Sequence, residues 1–141
     1  MAFTHPVTVR FQHVDSAGIV FFSRVFEFCH EAFEALLEAM EMPLPQLLDT
    51  EGWGLPVVSA HADYARPMKL GERLDIDCRV RKLGRSALTF GFQITCEGTL
   101  RAEVQVTHAA VALDGFRVQS LPESLLEGLT DLGFELPERG A

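Results

Sequence analysis

Apolar residues follow two spacings along this chain, every second residue in several runs and every third or fourth in one long stretch of the first third. Val7-Thr8-Val9-Arg10-Phe11 alternates apolar and polar side chains, as a half-buried strand does. Phe22, Phe26, Cys29, Phe33, Leu36 and Met40 then recur at steps of three and four, with Glu27, Glu31, Glu34, Glu38 and Glu41 opposite them. That spacing predicts an amphipathic helix over roughly Phe22 to Glu41, stopped by Pro43 and Pro45. Pro45 to Asp49 predicts one further short helical turn before Gly52.

From Leu55 onward the period is two. Leu55 to Tyr64 reads as a strand ended by Arg66-Pro67. Leu74, Ile76, Cys78 and Val80 alternate with charged residues, and Leu88, Phe90, Phe92, Ile94 and Cys96 alternate with Thr89, Gly91, Gln93 and Thr95. Leu83-Gly84-Arg85 and Gly98-Thr99 supply the turns. Leu100 to Leu113 predicts a long strand whose inner face (Ala102, Val104, Val106, His108, Ala110, Ala112) is mostly small, and Asp114-Gly115 predicts a hairpin into Phe116-Arg117-Val118. A short helix is expected after Pro122, and a frayed end from Leu136 to Ala141.

One strand, one long phenylalanine-rich helix and a meander of strands make a two-layer α+β domain, because the helical stripe must be buried on the sheet. Its 141 residues suit a single domain, with a core over about residues 5–121 and a tail over 122–141. One helix leaves the sheet edges unpaired, so self-association is expected.

Composition narrows the functional classes. Apolar content of 48% and charged content of 23% are those of an ordinary globular protein, and a net charge of -8 argues against a nucleic-acid binder. No apolar run approaches the ~20 residues needed to span a bilayer, and no secretory leader is visible, so no membrane partner and a cytoplasmic location are expected. Cys29, Cys78 and Cys96 lack CxxC spacing and fall on apolar faces, as buried free thiols in a reducing compartment do.

The loop before the helix, His13-Val14-Asp15-Ser16-Ala17-Gly18-Ile19-Val20-Phe21-Phe22, holds the candidate chemistry. Aspartate is common in caps and turns, but Asp15 lies about seven residues ahead of the helical pattern, too far for a cap, and is followed by an apolar loop. Gly18 permits a positive φ or a close backbone approach. The loop delivers unpaired amides at Phe21 to Ser23, where the helix dipole favours developing negative charge. A carboxylate beside an amide-built oxyanion site is what acyl transfer requires.

The histidines are His5, His13, His30, His61 and His108. His13-x-Asp15 has no second paired spacing, so no metal is expected. His30 lies at the edge of the helical stripe, as a partly buried histidine or as a donor to a bound polar group. His61 alternates with the apolar face of its strand and is a candidate to line a cleft. His108 reads as core. No GxSxG, dinucleotide-binding or Walker motif is present. Lys82 to Ser86 is a basic turn, either a solvated hairpin or a phosphate holder.

Asp15 to Phe22 resembles the D-x-A/G-G-I/V-V-aromatic-aromatic loop of hotdog-fold acyl-CoA thioesterases of the 4-hydroxybenzoyl-CoA thioesterase type. The similarity extends through Phe28-Cys29-His30-Glu31-Ala32-Phe33-Glu34 and Leu55 to Tyr64, most closely to the 1,4-dihydroxy-2-naphthoyl-CoA thioesterase branch, and covers most of residues 5–118. It implies a hotdog fold, one central helix wrapped by five or six antiparallel strands, in a homodimer or homotetramer with active sites between subunits. It also implies hydrolysis of an acyl-CoA to free acid and coenzyme A without a cofactor, the coenzyme A being part of the substrate.

Carried over by position, Asp15 matches the carboxylate acting as nucleophile or as general base. Phe22 matches the residue whose backbone N–H polarises the thioester carbonyl. His30 occupies the position that contacts the ring hydroxyl, where the hydroxybenzoyl branch has aspartate, so a different polar acyl group is implied. His61 and Gly18 join it as substrate-binding candidates, and Gly84, Arg85 and Ser86 match the positions that contact coenzyme A. Alternatives are a thioesterase for short- or medium-chain aliphatic acyl-CoA, a non-hydrolytic binder of acyl-CoA or acyl-carrier protein, and a hotdog hydratase using His13.

Overall fold

The computed structural model describes residues 3–140. Its long helix, α1 (Arg24–Ala39), buries Val25, Phe28, Cys29, Ala32, Phe33, Leu36 and Leu37. The expected stripe shares Cys29, Phe33 and Leu36 with this face, while Phe22 precedes the helix and is 61% exposed. The helix stops before either proline is reached. Glu41 adopts a left-handed φ of 58°, and the Met42 N–H reaches back to the Leu37 carbonyl at 2.9 Å, satisfying an end carbonyl before Pro43 turns the chain away.

Five strands receive this helix: β1 (Phe3–Thr8), β3 (Val57–Tyr64), β4 (Arg73–Leu83), β5 (Ala87–Cys96) and β6 (Thr99–Ala109). They pair antiparallel in the order β1-β4-β5-β6-β3. The alternation expected for β4, β5 and β6 is met, for Leu74, Ile76, Cys78, Leu88, Phe90, Phe92, Ile94, Ala102, Val104 and Val106 are all buried. With α1 across their inner face, this is the wrapped helix of a hotdog fold.

The remaining elements depart from expectation in several places. The first strand lies earlier than the Val7 to Phe11 pattern, and Phe11 sits in a short 3₁₀ turn, 82% exposed. The long strand expected to Leu113 is divided at Ala110, whose amide bonds the Ser86 carbonyl at 2.8 Å. Beyond that break, β7 (Val111–Ala112) joins β2 (Trp53–Gly54) and β8 (Arg117–Val118) in a small second sheet. The turn after Pro43 is longer than expected: α2 (Leu44–Gln46) runs into a wide π-type turn, Leu47–Glu51.

Helix α3 (Glu123–Asp131) begins after Pro122 as predicted and buries Leu125, Leu126 and Leu129. The frayed end expected from Leu136 is corrected for residues 136–140. Arg139 forms a parallel bridge with Leu83, and the Gly140 N–H bonds the Leu83 carbonyl at 2.7 Å, so backbone pairing holds the segment down. Ala141 lies outside the described residues. Among the described residues, no helix is long and apolar enough to cross a membrane.

Among the described residues, the two edges of the five-stranded sheet, β1 and β3, remain open, and they differ. β1 is short and carries Pro6, which cannot donate to another strand. β3 has eight residues, no proline, and side chains exposed at every position but Ala62, which is half-buried.

Candidate functional site

The Asp15 loop is a tight hairpin. Val14 bridges Val20, the Asp15 N–H donates to the Ile19 carbonyl at 2.9 Å, and the Gly18 N–H donates to the Asp15 carbonyl at 3.0 Å. Gly18 closes this turn with φ of 79°, the left-handed step that a three-residue loop of this kind requires. The turn role for Asp15 is therefore real. Its Oδ1 accepts the Ala17 N–H at 2.8 Å, which fixes the carboxylate and leaves Oδ2 without a partner among the described residues.

The same hairpin aims the helix entry. The Phe21 N–H is spent on the His13 carbonyl at 2.9 Å, whereas the Phe22 and Ser23 N–H groups have no partner among the described residues. They precede the sixteen residues of α1, so they sit at the positive end of its dipole. Tyr64, at the end of β3, donates its hydroxyl to the Phe22 carbonyl and fixes that peptide from the other side. A carboxylate oxygen and two free amides on one short loop can attack or activate water while holding an oxyanion.

A neighbouring segment holds the loop in place. The Val20 N–H bonds the Met68 carbonyl at 2.8 Å, Ile19 bridges Lys69, and the Leu70 N–H bonds the Gly18 carbonyl at 3.1 Å. That segment is clamped by Arg101, which reaches both Glu72 oxygens and the Pro67 carbonyl.

His30 stands elsewhere. It lines a pocket of about 240 Å³ with Phe33, Glu34, Leu44, Leu47, Trp53, Leu55, Val57 and His108. No residue of the Asp15 loop reaches this pocket. His108, expected as core, is 2% exposed, stacks on Phe33 with ring centroids 4.5 Å apart, and bonds the Leu55 carbonyl through Nδ1 at 2.7 Å. Sequence reasoning did not see that its other nitrogen, Nε2, is buried without a partner among the described residues.

His61 is on the open edge strand, well exposed and bonded to Asp63 at 3.1 Å, and lines neither the pocket nor the loop. Gly84, Arg85 and Ser86 form the β4–β5 turn, at the sheet end where β3 begins, since Val57 and Leu88 both flank His108. Arg139 docks on this turn, donating to the Gly84 carbonyl at 3.0 Å and the Arg85 carbonyl at 3.1 Å, a contact invisible in the sequence. His13 is committed locally: its Nδ1 accepts the Arg10 N–H at 2.9 Å and its ring meets that of Phe28 at a right angle, centroids 4.8 Å apart. Burial pushes the thiols of Cys29 and Cys96 up, and that of Cys78 to about 12, so none is a ready thiolate.

The sequence matches the family model of the thioesterase-like superfamily over residues 9–129. The chain belongs to the thioesterase-like superfamily. Within that superfamily it is 33% identical over 129 residues to 1,4-dihydroxy-2-naphthoyl-CoA hydrolase of Nostoc punctiforme, covering 92% of this chain and 87% of that protein. It is 32% identical to the enzyme of the same name from Synechococcus elongatus, covering 86% and 90%. The crystal structure of a 1,4-dihydroxy-2-naphthoyl-CoA thioesterase from Synechocystis superposes with a TM-score of 0.85 at 26% identity, covering 94% and 98%. A gentisyl-coenzyme A thioesterase shares the fold at 22% identity and a TM-score of 0.80. The expected family and hotdog fold are met, and the expectation of a CoA-thioester hydrolase agrees with the activities these thioesterase relatives are named for.

Proposed function

We propose that this chain is a cytoplasmic acyl-CoA thioesterase that hydrolyses an aromatic acyl-CoA, with 1,4-dihydroxy-2-naphthoyl-CoA and 4-hydroxybenzoyl-CoA as the first substrates to try. The observation that carries the reading is the Asp15 hairpin, a carboxylate pinned by one oxygen with free amides at the adjoining helix entry. The Phe22 N–H, aided by that of Ser23, holds the carbonyl oxygen as it gains charge. Asp15 either attacks the carbonyl carbon, giving a mixed anhydride that water then hydrolyses to the free acid, or takes a proton from the attacking water. The thiolate of coenzyme A departs and takes up a proton derived from that water. The chemistry uses the chain's own groups, and no cofactor beyond the coenzyme A of the substrate.

The working unit in this reading is a homodimer built on β3, itself open to assembly into a tetramer. Val57, Val58 and Tyr64 on β3, and Phe21 and Phe22 beside it, are all more than two-fifths exposed, an apolar surface that asks for cover. The 240 Å³ pocket is at the Val57 end of β3, and the Asp15 loop is at the Tyr64 end, roughly 23 Å along the strand. Antiparallel pairing of β3 with its copy about a two-fold axis brings each Asp15 loop beside the partner's pocket. The acyl group then fills one subunit's pocket beside His30, with the nucleotide along the Gly84-Arg85-Ser86 turn, while the other subunit supplies Asp15. His61 and Gly18 border the seam.

The test is thiol release, followed with DTNB, over a panel of aromatic and aliphatic acyl-CoAs with the wild-type protein and Asp15→Asn. Turnover of aromatic thioesters that falls at least ~10³-fold in the variant supports the reading. Tight acyl-CoA binding with no thiol release, or an unaffected variant, overturns it. Turnover of medium-chain aliphatic thioesters alone overturns the aromatic preference.

A further inference from the structure

His108 is buried in a protonation state that leaves a hydrogen-bond acceptor unused at the pocket. Its Nδ1 lies 2.7 Å from the Leu55 carbonyl oxygen, and a carbonyl only accepts, so the proton is on Nδ1. Burial against Phe33 and Phe90 disfavours the charged ring and holds its pKa below the ordinary histidine value. Nε2 therefore carries a lone pair, and that atom is buried with no partner among the described residues. The other titratable groups at the pocket are His30, with its ring centroid 6.1 Å away, and Glu34, both exposed and neither bonded to Nε2.

The rest of the lining sharpens what this means for a ligand. Phe33, Leu44, Leu47, Trp53, Leu55 and Val57 offer apolar surface, and the volume of about 240 Å³ is below the ~300 Å³ at which pockets for drug-sized ligands begin. Such a space suits one ring or two fused rings. Nε2 is already closed to water, so an unsubstituted ring in the pocket would leave it unpaired, and a keto or carboxylate oxygen brought against it would face the lone pair and be repelled. A hydroxyl hydrogen is what the position lacks.

We propose that His108 is a specificity-determining residue, its Nε2 accepting a hydrogen bond from a hydroxyl on the acyl ring that fills the pocket. The proposal deepens the thioesterase reading and rests on the pocket being the acyl site. It separates two jobs that position along the chain assigns to His30 alone: His30 stands at the exposed rim, whereas His108 meets the buried part of the ring.

The experiment compares kcat/KM for benzoyl-CoA with its monohydroxylated derivatives, and for 2-naphthoyl-CoA with 1,4-dihydroxy-2-naphthoyl-CoA, in wild type, His108→Phe and His108→Gln. The wild type favours the better hydroxylated partner by tenfold or more, His108→Phe collapses the preference to about twofold, and His108→Gln, which keeps an acceptor oxygen, restores part of it. An equal preference in wild type and His108→Phe overturns the proposal. A wild type that hydrolyses none of these thioesters overturns the thioesterase reading instead, and a second measurement then still decides about His108. In wild-type protein labelled with ¹⁵N-histidine, 4-hydroxybenzoate moves the unprotonated Nε2 resonance toward its hydrogen-bonded position and benzoate does not. Equal shifts with both acids, or none with either, overturn the proposal without any variant having to fold.

Discussion

Arg101 grips Glu72 with both of its terminal nitrogens, at 2.7 and 3.0 Å, and one of them also donates to the Pro67 carbonyl at 2.8 Å. Neither partner belongs to the Asp15 loop, yet the segment they clamp is the one that pairs with it through Met68, Lys69 and Leu70. Removing the guanidinium takes two donors from the Glu72 carboxylate, which keeps only the Lys69 N–H, and one from the Pro67 carbonyl, at a site partly shielded from water. Arg101→Ala is therefore expected to cost about 2 kcal/mol in urea unfolding, less than the ~3–5 kcal/mol of a fully buried pair because both side chains keep some solvent. Amide exchange over residues 15–20 should quicken beyond that global loss. Unchanged exchange there would show that the loop holds itself.

The same pair predicts a pH dependence. Hydrogen bonds from Arg101, then from the Lys69 amide, hold the Glu72 carboxyl below the usual glutamate value. A depressed folded pKa means the unfolded chain binds the proton first, so the stabilisation is complete above about pH 4.3 and is lost as pH falls from there through the folded pKa. In Arg101→Met the acid limb of stability against pH should be shallower than in wild type. Parallel limbs from both proteins would place the acid sensitivity elsewhere.

Phe22 is assigned its role through the backbone, and that distinction can be measured. Phe22→Leu keeps the N–H, and its ring is already largely exposed, so kcat should stay within a few-fold of wild type. Phe22→Pro deletes the N–H and should lower kcat by ~10²–10³-fold, the usual effect of removing one oxyanion donor. Circular dichroism and unfolding curves on the proline variant separate this from loss of the helix entry. Equal kinetics for the two variants would remove the Phe22 amide from the mechanism.

Much of this arrangement is legible in the chain because it is written in local periodicity. Cys29, Phe33 and Leu36 announce the buried helix face, and the alternation from Leu74 to Val106 announces the sheet. Gly18 announces a positive φ, which the hairpin uses. The features that escaped depend on partners far along the chain. Arg101 and Glu72 are 29 residues apart and look like two ordinary surface charges until β6 and the start of β4 bring them together. Arg139 looks like part of a loose tail until it meets the Gly84 turn. His108 is readable as core from its alternation, but a pattern says only that a side chain is inside. Which of its nitrogens is bonded depends on the Leu55 carbonyl, 53 residues away, and that is where its chemistry lies. β3 is the opposite case. Its apolar residues signal a strand, yet the fold of one chain leaves Val57, Val58 and Tyr64 exposed.

The proposed pairing of β3 with a second copy predicts subunit complementation. If each site takes Asp15 from one copy and the pocket from the other, Asp15→Asn disables a site from the loop side, and His30→Trp, which fills the exposed mouth of the pocket, disables one from the acyl side. Each variant alone has both sites of its dimer damaged. In a heterodimer of the two, one site collects both lesions and the other collects none. Co-expression of the variants with different affinity tags, followed by tandem purification, isolates that heterodimer, and it should show about half of wild-type activity per dimer. A random mixture, half of it heterodimer, should show about a quarter. A site contained within one chain predicts a different result, because every chain then carries one lesion and no pairing repairs it. An inactive heterodimer that runs as a dimer by light scattering would therefore overturn the shared site while leaving the Asp15 chemistry untouched. A monomer with full activity would overturn pairing through β3 altogether.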